Sequence, residues 1–192
     1  MTGELFEITA NKLKVVSLDG HRISIRNVEL NNSYDNISVI IPGKTLIEIN
    51  KILNGGVDDI VKIYFTDKHI LFEFESTVVL SRLIEGEYYK IDKMLSSDYE
   101  TKITVNKKEM LDSIDRTTLL MKEAEKKPVI IDIKDNSMGL AMNSSIGSMD
   151  EEIDAVKEGK DILIGFNPRF LIDALRVIDD EEITLYMINP KA

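Results

Sequence analysis

The 192-residue chain has no cysteine, so disulfides, thiolate nucleophiles and cysteine-ligated metals are excluded together, and the usage fits a reducing, cytoplasmic setting. Histidine is almost as scarce, with only His21 and His69. No apolar run approaches the roughly 20 residues a membrane helix needs, and no charged-then-apolar signal opens the chain. The net charge of −10 argues against long-range attraction of nucleic acid, although a local basic lining remains compatible with it. What is present, 43% hydrophobic and 30% charged residues, is the composition of a soluble globular protein with room for one or two cored domains.

The densest pattern is Asp161–Ile178, DILIGFNPRFLIDALRVI. Ile162–Phe166 reads as a strand, Asn167 as a helix N-cap and Pro168 as the first helical residue, where a missing N–H costs nothing. Phe170, Leu171, Ala174, Leu175 and Ile178 recur at helical spacing and predict a buried stripe, while Arg169, Asp173 and Arg176 form a polar ridge. Ser38–Leu53 repeats this grammar. Leu46 falls on Leu171, and Lys44, Glu48 and Lys51 fall on Arg169, Asp173 and Arg176, at an offset of 171 − 46 = 125. The strands that follow, Val61–Phe65 and Ile183–Met187, align Tyr64 with Tyr186 at an offset of 122. Strand, turn, helix and strand in the same order predict a structural repeat.

The first unit opens with predicted strands at Leu5–Thr9 and Lys12–Ser17. Asp19-Gly20 then signals a two-residue hairpin, from which His21–Arg26 returns. Two strands flank Asp67-Lys68, the second continuing through Thr77 to Leu83, and Tyr88–Leu95 is predicted to be a short helix. Ser96–Glu100 is the predicted linker, giving domains 1–97 and 98–192. In the second unit Thr101–Val105 is a strand, and Asn106 with Glu109 starts a helix whose buried face is Met110, Ile114, Thr117 and Met121. Leu119 lies about 140° from Ile114 around the helix axis and falls off that face. Val129–Ile133, Met138–Asn143 and the acidic stretch to Ile153 supply further strands, mostly antiparallel. Ser144–Glu152 has no visible repeat counterpart. The counterpart of the Asn106 helix would precede Met1, and those of the Ile70–Leu83 strands would follow Ala192, so both ends are expected to cut through a unit.

Catalytic patterns are missing. Ser17, Asp19 and His21 contain triad residue types, but five hairpin residues cannot set them in relay order. There is no phosphate loop, HExxH or spaced carboxylate pattern, and acidic pairs such as Asp58-Asp59, Glu151-Glu152 and Asp179-Asp180 read as solvated turns. The expectation is a protein without enzymatic activity, cofactor or metal.

Three segments in order, LDGHRI at 18–23, RLIEG at 82–86 and IGFNPRFLIDAL at 164–175, resemble the bacterial sliding clamp, the β subunit of DNA polymerase III. The resemblance covers essentially the whole chain and corresponds to most of that family's middle and third domains. It implies an α+β fold of tandem clamp domains, with antiparallel sheets outside and pairs of amphipathic helices lining a DNA-sized hole. It implies a processivity factor: a homodimeric ring that encircles double-stranded DNA without sequence preference and tethers the polymerase III α subunit, the clamp loader and other clamp-binding-motif proteins. The DNA-facing candidates are then Lys44, Lys51, Lys107, Lys108, Arg116, Arg169 and Arg176. The implied peptide pocket comprises Met1, Leu18, Gly20, His21, Arg22, Ile23, Tyr89, Lys93, Met94, Asn167 and Phe170. Leu119 and Leu120 match the family's contact between protomers. Two departures from the family pattern stand out: Tyr89-Lys90-Ile91 replaces a Pro-Asp-Tyr run, and the family's final strand lies beyond Ala192, so the pocket is expected to bind weakly. The alternative reading is a peptide-binding scaffold that encircles no DNA.

Overall fold

The computed structural model describes residues 3–53, 56, 60–91, 94–95, 98–121 and 127–190. It divides into two compact units, Met1–Ile91 and Asp92–Ala192. Among the described residues no helix is long and apolar enough to cross a membrane.

Unit 1 contains β1 (Gly3–Leu18), β2 (Ile23–Pro42), α1 (Gly43–Ile52), β3 (Lys62–Phe65), β4 (His69–Phe74) and β5 (Thr77–Arg82). β1 pairs antiparallel with β2, and β3, β4 and β5 form a second antiparallel sheet. The single span of β1 hides a reversal. Lys14 Nζ lies 3.6 Å from Glu7 Oε2, whereas seven residues of uninterrupted strand would separate them by roughly 23 Å. Leu5 and Val16 likewise share one buried cluster with Ile91. The chain folds back at Ala10, whose φ is 54°, so the two separate strands expected here are joined by a tight turn.

Unit 2 contains β6 (Thr101–Asn106), α2 (Lys107–Thr118), β7 (Val129–Lys134), β8 (Ser137–Ser144), β9 (Gly147–Gly159), β10 (Ile162–Phe166), α3 (Pro168–Arg176) and β11 (Glu182–Met187). Its six strands form one sheet in the order β10-β7-β8-β9-β6-β11. Every pairing in it is antiparallel. One face of the sheet and the inner sides of α2 and α3 enclose a single core that includes Ile103, Met110, Ile114, Ile131, Leu140, Ile172 and Leu175.

The repeat runs deeper than the helices. β10 meets β7 with Ile162 opposite Ile133 and Phe166 opposite Val129; 125 residues earlier, Ile37 is opposite Ile8 and Ile41 opposite Glu4. β8 meets β9 with Ser137 opposite Asp154, and the same shift gives Lys12 opposite Glu29. Asp135, in the β7–β8 turn, has φ 49°, matching Ala10 at 54°. Ser144–Glu152, which looked unmatched, therefore corresponds to the hairpin turn and the start of β2. The counterpart is invisible by letter because a strand edge tolerates almost any polar residue.

Four other expectations need correction. The Asp19-Gly20 turn is four residues long, Asp19–Arg22, with Leu18 opposite Ile23 as the last pair, so His21 and Arg22 lie in the turn. The strand after Asp67-Lys68 does not run on. It breaks at Glu75, with φ 49°, and returns as β5. Residues 88–90 are not helical, since Ile91 is drawn into the Leu5–Val16 cluster and Tyr88 donates to the Val16 carbonyl at 3.0 Å. Finally, the buried line of α3 is Pro168, Ile172 and Leu175, with Leu171 and Ile178 packed alongside, whereas Phe170 is half-buried and Ala174 exposed. α3 lies against α2 and shares the core with the sheet, and this turns its apolar face toward Ile172. Of the stretch read as a linker, Ser96 and Ser97 lie outside the described residues. Tyr99 packs edge-on against Tyr186 with ring centroids 4.9 Å apart, and the Glu100 N–H donates to the Met187 carbonyl at 2.9 Å.

Candidate nucleic-acid interface and peptide pocket

Each helix begins where a strand ends, so its exposed ridge has a fixed direction relative to the sheet. Asn167 caps α3 by accepting from the Arg169 N–H at 3.1 Å, and Asn106 caps α2 by accepting from the Glu109 N–H at 3.1 Å. α1 starts at Pro42, which supplies no side-chain cap. Pro42 is the repeat counterpart of Asn167.

The seven basic residues expected to face DNA fall into distinct environments. Lys44, Lys51, Lys108, Arg116, Arg169 and Arg176 are exposed, while Lys107 is half-buried. Lys107 Nζ donates to the Ile178 carbonyl at 2.7 Å, putting a cation on a carbonyl left free just beyond the α3 C-terminus. Lys51 Nζ sits 2.7 Å from Glu48 Oε1. Arg176 Nη2 lies 3.2 Å from both oxygens of Asp115. Arg116 forks onto Glu151, its Nε 2.6 Å from Oε1 and its Nη2 on Oε2. The guanidinium of Arg116 holds the Glu151 carboxyl below the usual glutamate range. Asp115 and Glu151 are the residues sequence reading missed: the first stands two turns from Lys108 on a ridge counted only for its cations, and the second, expected in a solvated turn, lies half-buried in β9. Nothing in the sequence ties the second, 35 residues from its partner, to α2.

The candidate pocket residues lie in both units. In unit 1 the Asp19 carboxylate organises the hairpin tip, accepting the His21 and Arg22 N–H groups, each at 3.2 Å, and Arg22 Nε at 2.8 Å. That guanidinium lowers the Asp19 carboxyl from its ordinary value. Gly20 adopts φ +87°, a conformation other residues rarely reach. This arrangement commits Asp19 to its own turn and away from any triad with Ser17. Leu18 and Ile23 are half-buried against the Leu5, Val16 and Ile91 cluster, while His21, Arg22 and Tyr89 are exposed. In unit 2 Asn167 is engaged as a cap, Phe170 is half-buried and Met94 exposed. Met1 and Lys93 lie outside the described residues. Leu119, at the C-terminus of α2, is 77% exposed, as its angle off the core face required, and Leu120 packs partly against the core. Among the described residues no three His, Asp or Glu side chains are grouped to hold a metal ion.

Comparison with known proteins places both units. Residues 1–90 match the central domain of the DNA polymerase III beta subunit and residues 92–192 its C-terminal domain. The chain belongs to the DNA polymerase III beta subunit family. It is 35% identical over 185 residues to the beta sliding clamp of Staphylococcus aureus, covering 95% of this chain and 49% of the relative. A solved beta subunit from Eubacterium rectale is 66% identical with a TM-score of 0.97, covering 100% of this chain and 52% of that one. The sliding clamp of Bacillus subtilis is 33% identical with a TM-score of 0.93, covering 98% and 50%. The chain therefore spans about half the length of the relatives it matches, and it has the sliding-clamp fold.

Proposed function

We propose that this chain is the middle and third clamp domains of a cytoplasmic, non-catalytic processivity factor, a homodimeric ring that encircles duplex DNA and tethers the replicative polymerase and other partners. The observation that carries the reading is the pair of consecutive beta-subunit domains in which α1, α2 and α3 each hold an apolar side to the protein and a basic ridge to solvent. Retention comes from topology, so the helices need only offset phosphate repulsion, and direct affinity is low and salt-sensitive. Partners insert aliphatic or aromatic anchors of a short extended peptide beside Leu18 and Ile23 of unit 1, with His21, Arg22 and Tyr89 at the rim, and Met94, Asn167 and Phe170 are the candidate contacts within unit 2. Leu119, with Leu120 behind it, is the contact surface for the second protomer.

The gene product carrying this sequence, loaded onto nicked circular plasmid by its clamp loader, is expected to stay bound through gel filtration and to be lost once the plasmid is linearised. Equal loss from both forms, with peptide binding intact, would favour a scaffold that encircles nothing. Replacing Ile23 by Asp is expected to abolish binding of a labelled clamp-binding peptide without affecting retention on the circle.

A further inference from the structure

The exposed cations of α2 and α3 are not equivalent. Arg176 holds Asp115 with both carboxylate oxygens at 3.2 Å, and Arg116 forks onto Glu151, so each guanidinium is offset by a full negative charge at contact distance. To engage a phosphate, either arginine must release its partner and leave a bare carboxylate beside the phosphodiester. Lys44, Lys108 and Arg169 are exposed, and no carboxylate among the described residues pairs with them. We propose that Lys44, Lys108 and Arg169 carry the contact with duplex phosphates, while Asp115 and Glu151 hold Arg176 and Arg116 out of it. The inference rests on the reading of these helices as duplex-facing and adds a division of labour among their cations. A surface on which two of three guanidinium charges are cancelled locally attracts the backbone without anchoring to any one phosphate, and that suits a protein that must move along it.

Counterion release provides the readout, since each cation that engages a phosphate contributes about 0.9 to the slope of log affinity against log salt. The 192-residue chain is titrated with a short labelled duplex, by anisotropy, across a range of low monovalent salt. Lys108→Ala and Arg169→Ala are each expected to weaken binding several-fold and to flatten the slope by about 0.9. Removing the pair together, Arg176→Gln with Asp115→Asn, is expected to leave the slope unchanged. Asp115→Asn frees Arg176 and is expected to tighten binding and steepen the slope, whereas Asp180→Asn, the same charge change at an exposed site off the helices, does neither. The proposal is overturned if removing Arg176 and Asp115 together flattens the slope as much as Lys108→Ala, or if Asp180→Asn reproduces Asp115→Asn. If the unsubstituted chain shows no salt-dependent duplex binding, the duplex-facing reading falls and takes this one with it; that result is distinct from binding whose slope is shared evenly among all the cations. The substituted side chains are exposed, and a circular-dichroism melt confirms that each variant is folded.

Discussion

Ile172 of α3 and Ile47 of α1 stand at the same place in the repeat, yet the first is 5% exposed and the second 55%. The difference lies in their neighbours. α3 packs against α2 and into the core beneath the sheet, whereas the described residues of unit 1 contain no second helix to cover α1, whose buried contact is Ile49 instead. The cores differ accordingly. Unit 2 has one continuous cluster, while unit 1 is divided between a cluster around Phe6, Ile41, Ile70 and Phe72 and a smaller one around Leu5, Val16 and Ile91. Identical registers thus support unequal packing, because hydrogen-bonded pairing is set by the strands and burial by whatever lies across from them.

The comparison fails if the two isoleucines respond alike to truncation. Ile172→Ala is expected to cost about 2–5 kcal/mol in urea unfolding, as buried large-to-small changes do, and Ile47→Ala no more than about 0.5 kcal/mol. The two turns of the repeat give a smaller effect. Ala10 holds φ 54° without a polar side chain to ease it, whereas Asp135, at φ 49°, is of a type that tolerates the left-handed region. Ala10→Gly is expected to stabilise unit 1 by up to about 1 kcal/mol, and an unchanged or lowered melting temperature would contradict this. The caps should separate next. Asn167→Ala is expected to cost about 1 kcal/mol, while Pro42→Asn, which installs the same cap on α1, is expected to gain less because freeing the unfolded chain returns about 0.5 kcal/mol.

Two glutamates sharpen the contrast in pH dependence. Burial raises the Glu4 carboxyl above the ordinary glutamate value, since it occupies the place that Val129 fills in unit 2, whereas Arg116 lowers Glu151. A raised acid penalises the folded state at neutral pH, and the penalty lifts as pH falls through its folded value. A lowered acid stabilises above its unfolded value, and that contribution is lost as pH falls through the folded one. Glu4→Gln is therefore expected to raise stability at pH 7 with a smaller gain in acid, and Glu151→Gln to lower it at pH 7 with a smaller loss in acid. Both are read from paired denaturation curves, and like-signed changes at pH 7 would contradict the assignment.

The sequence revealed the strand-turn-helix grammar, both asparagine caps and the exposed position of Leu119, because each depends on neighbours within about one helical turn. It misplaced the α3 face, whose orientation is decided by α2 some 60 residues earlier, and it missed the break at Glu75, where neither Gly nor Asn marks the left-handed residue. The basic ridge could be read from spacing, but the carboxylates that neutralise Arg176 and Arg116 could not. Asp115 meets Arg176 across 61 residues, and Glu151 reaches Arg116 from a strand whose letters resemble any acidic edge.

The reversal folded into β1 also sets an order of assembly. The ends of that hairpin meet after closing a loop of only a few residues, an event on the scale of microseconds. By contrast, β6 must find β11 across the whole of unit 2, as Thr104 and Thr184 do across 80 residues, and pairings of such separation pay their loop entropy before any contact rewards them. Amide protection is therefore expected to arise first around Glu7 and Lys14 and in the β7–β8 hairpin, and last along β6 and β11.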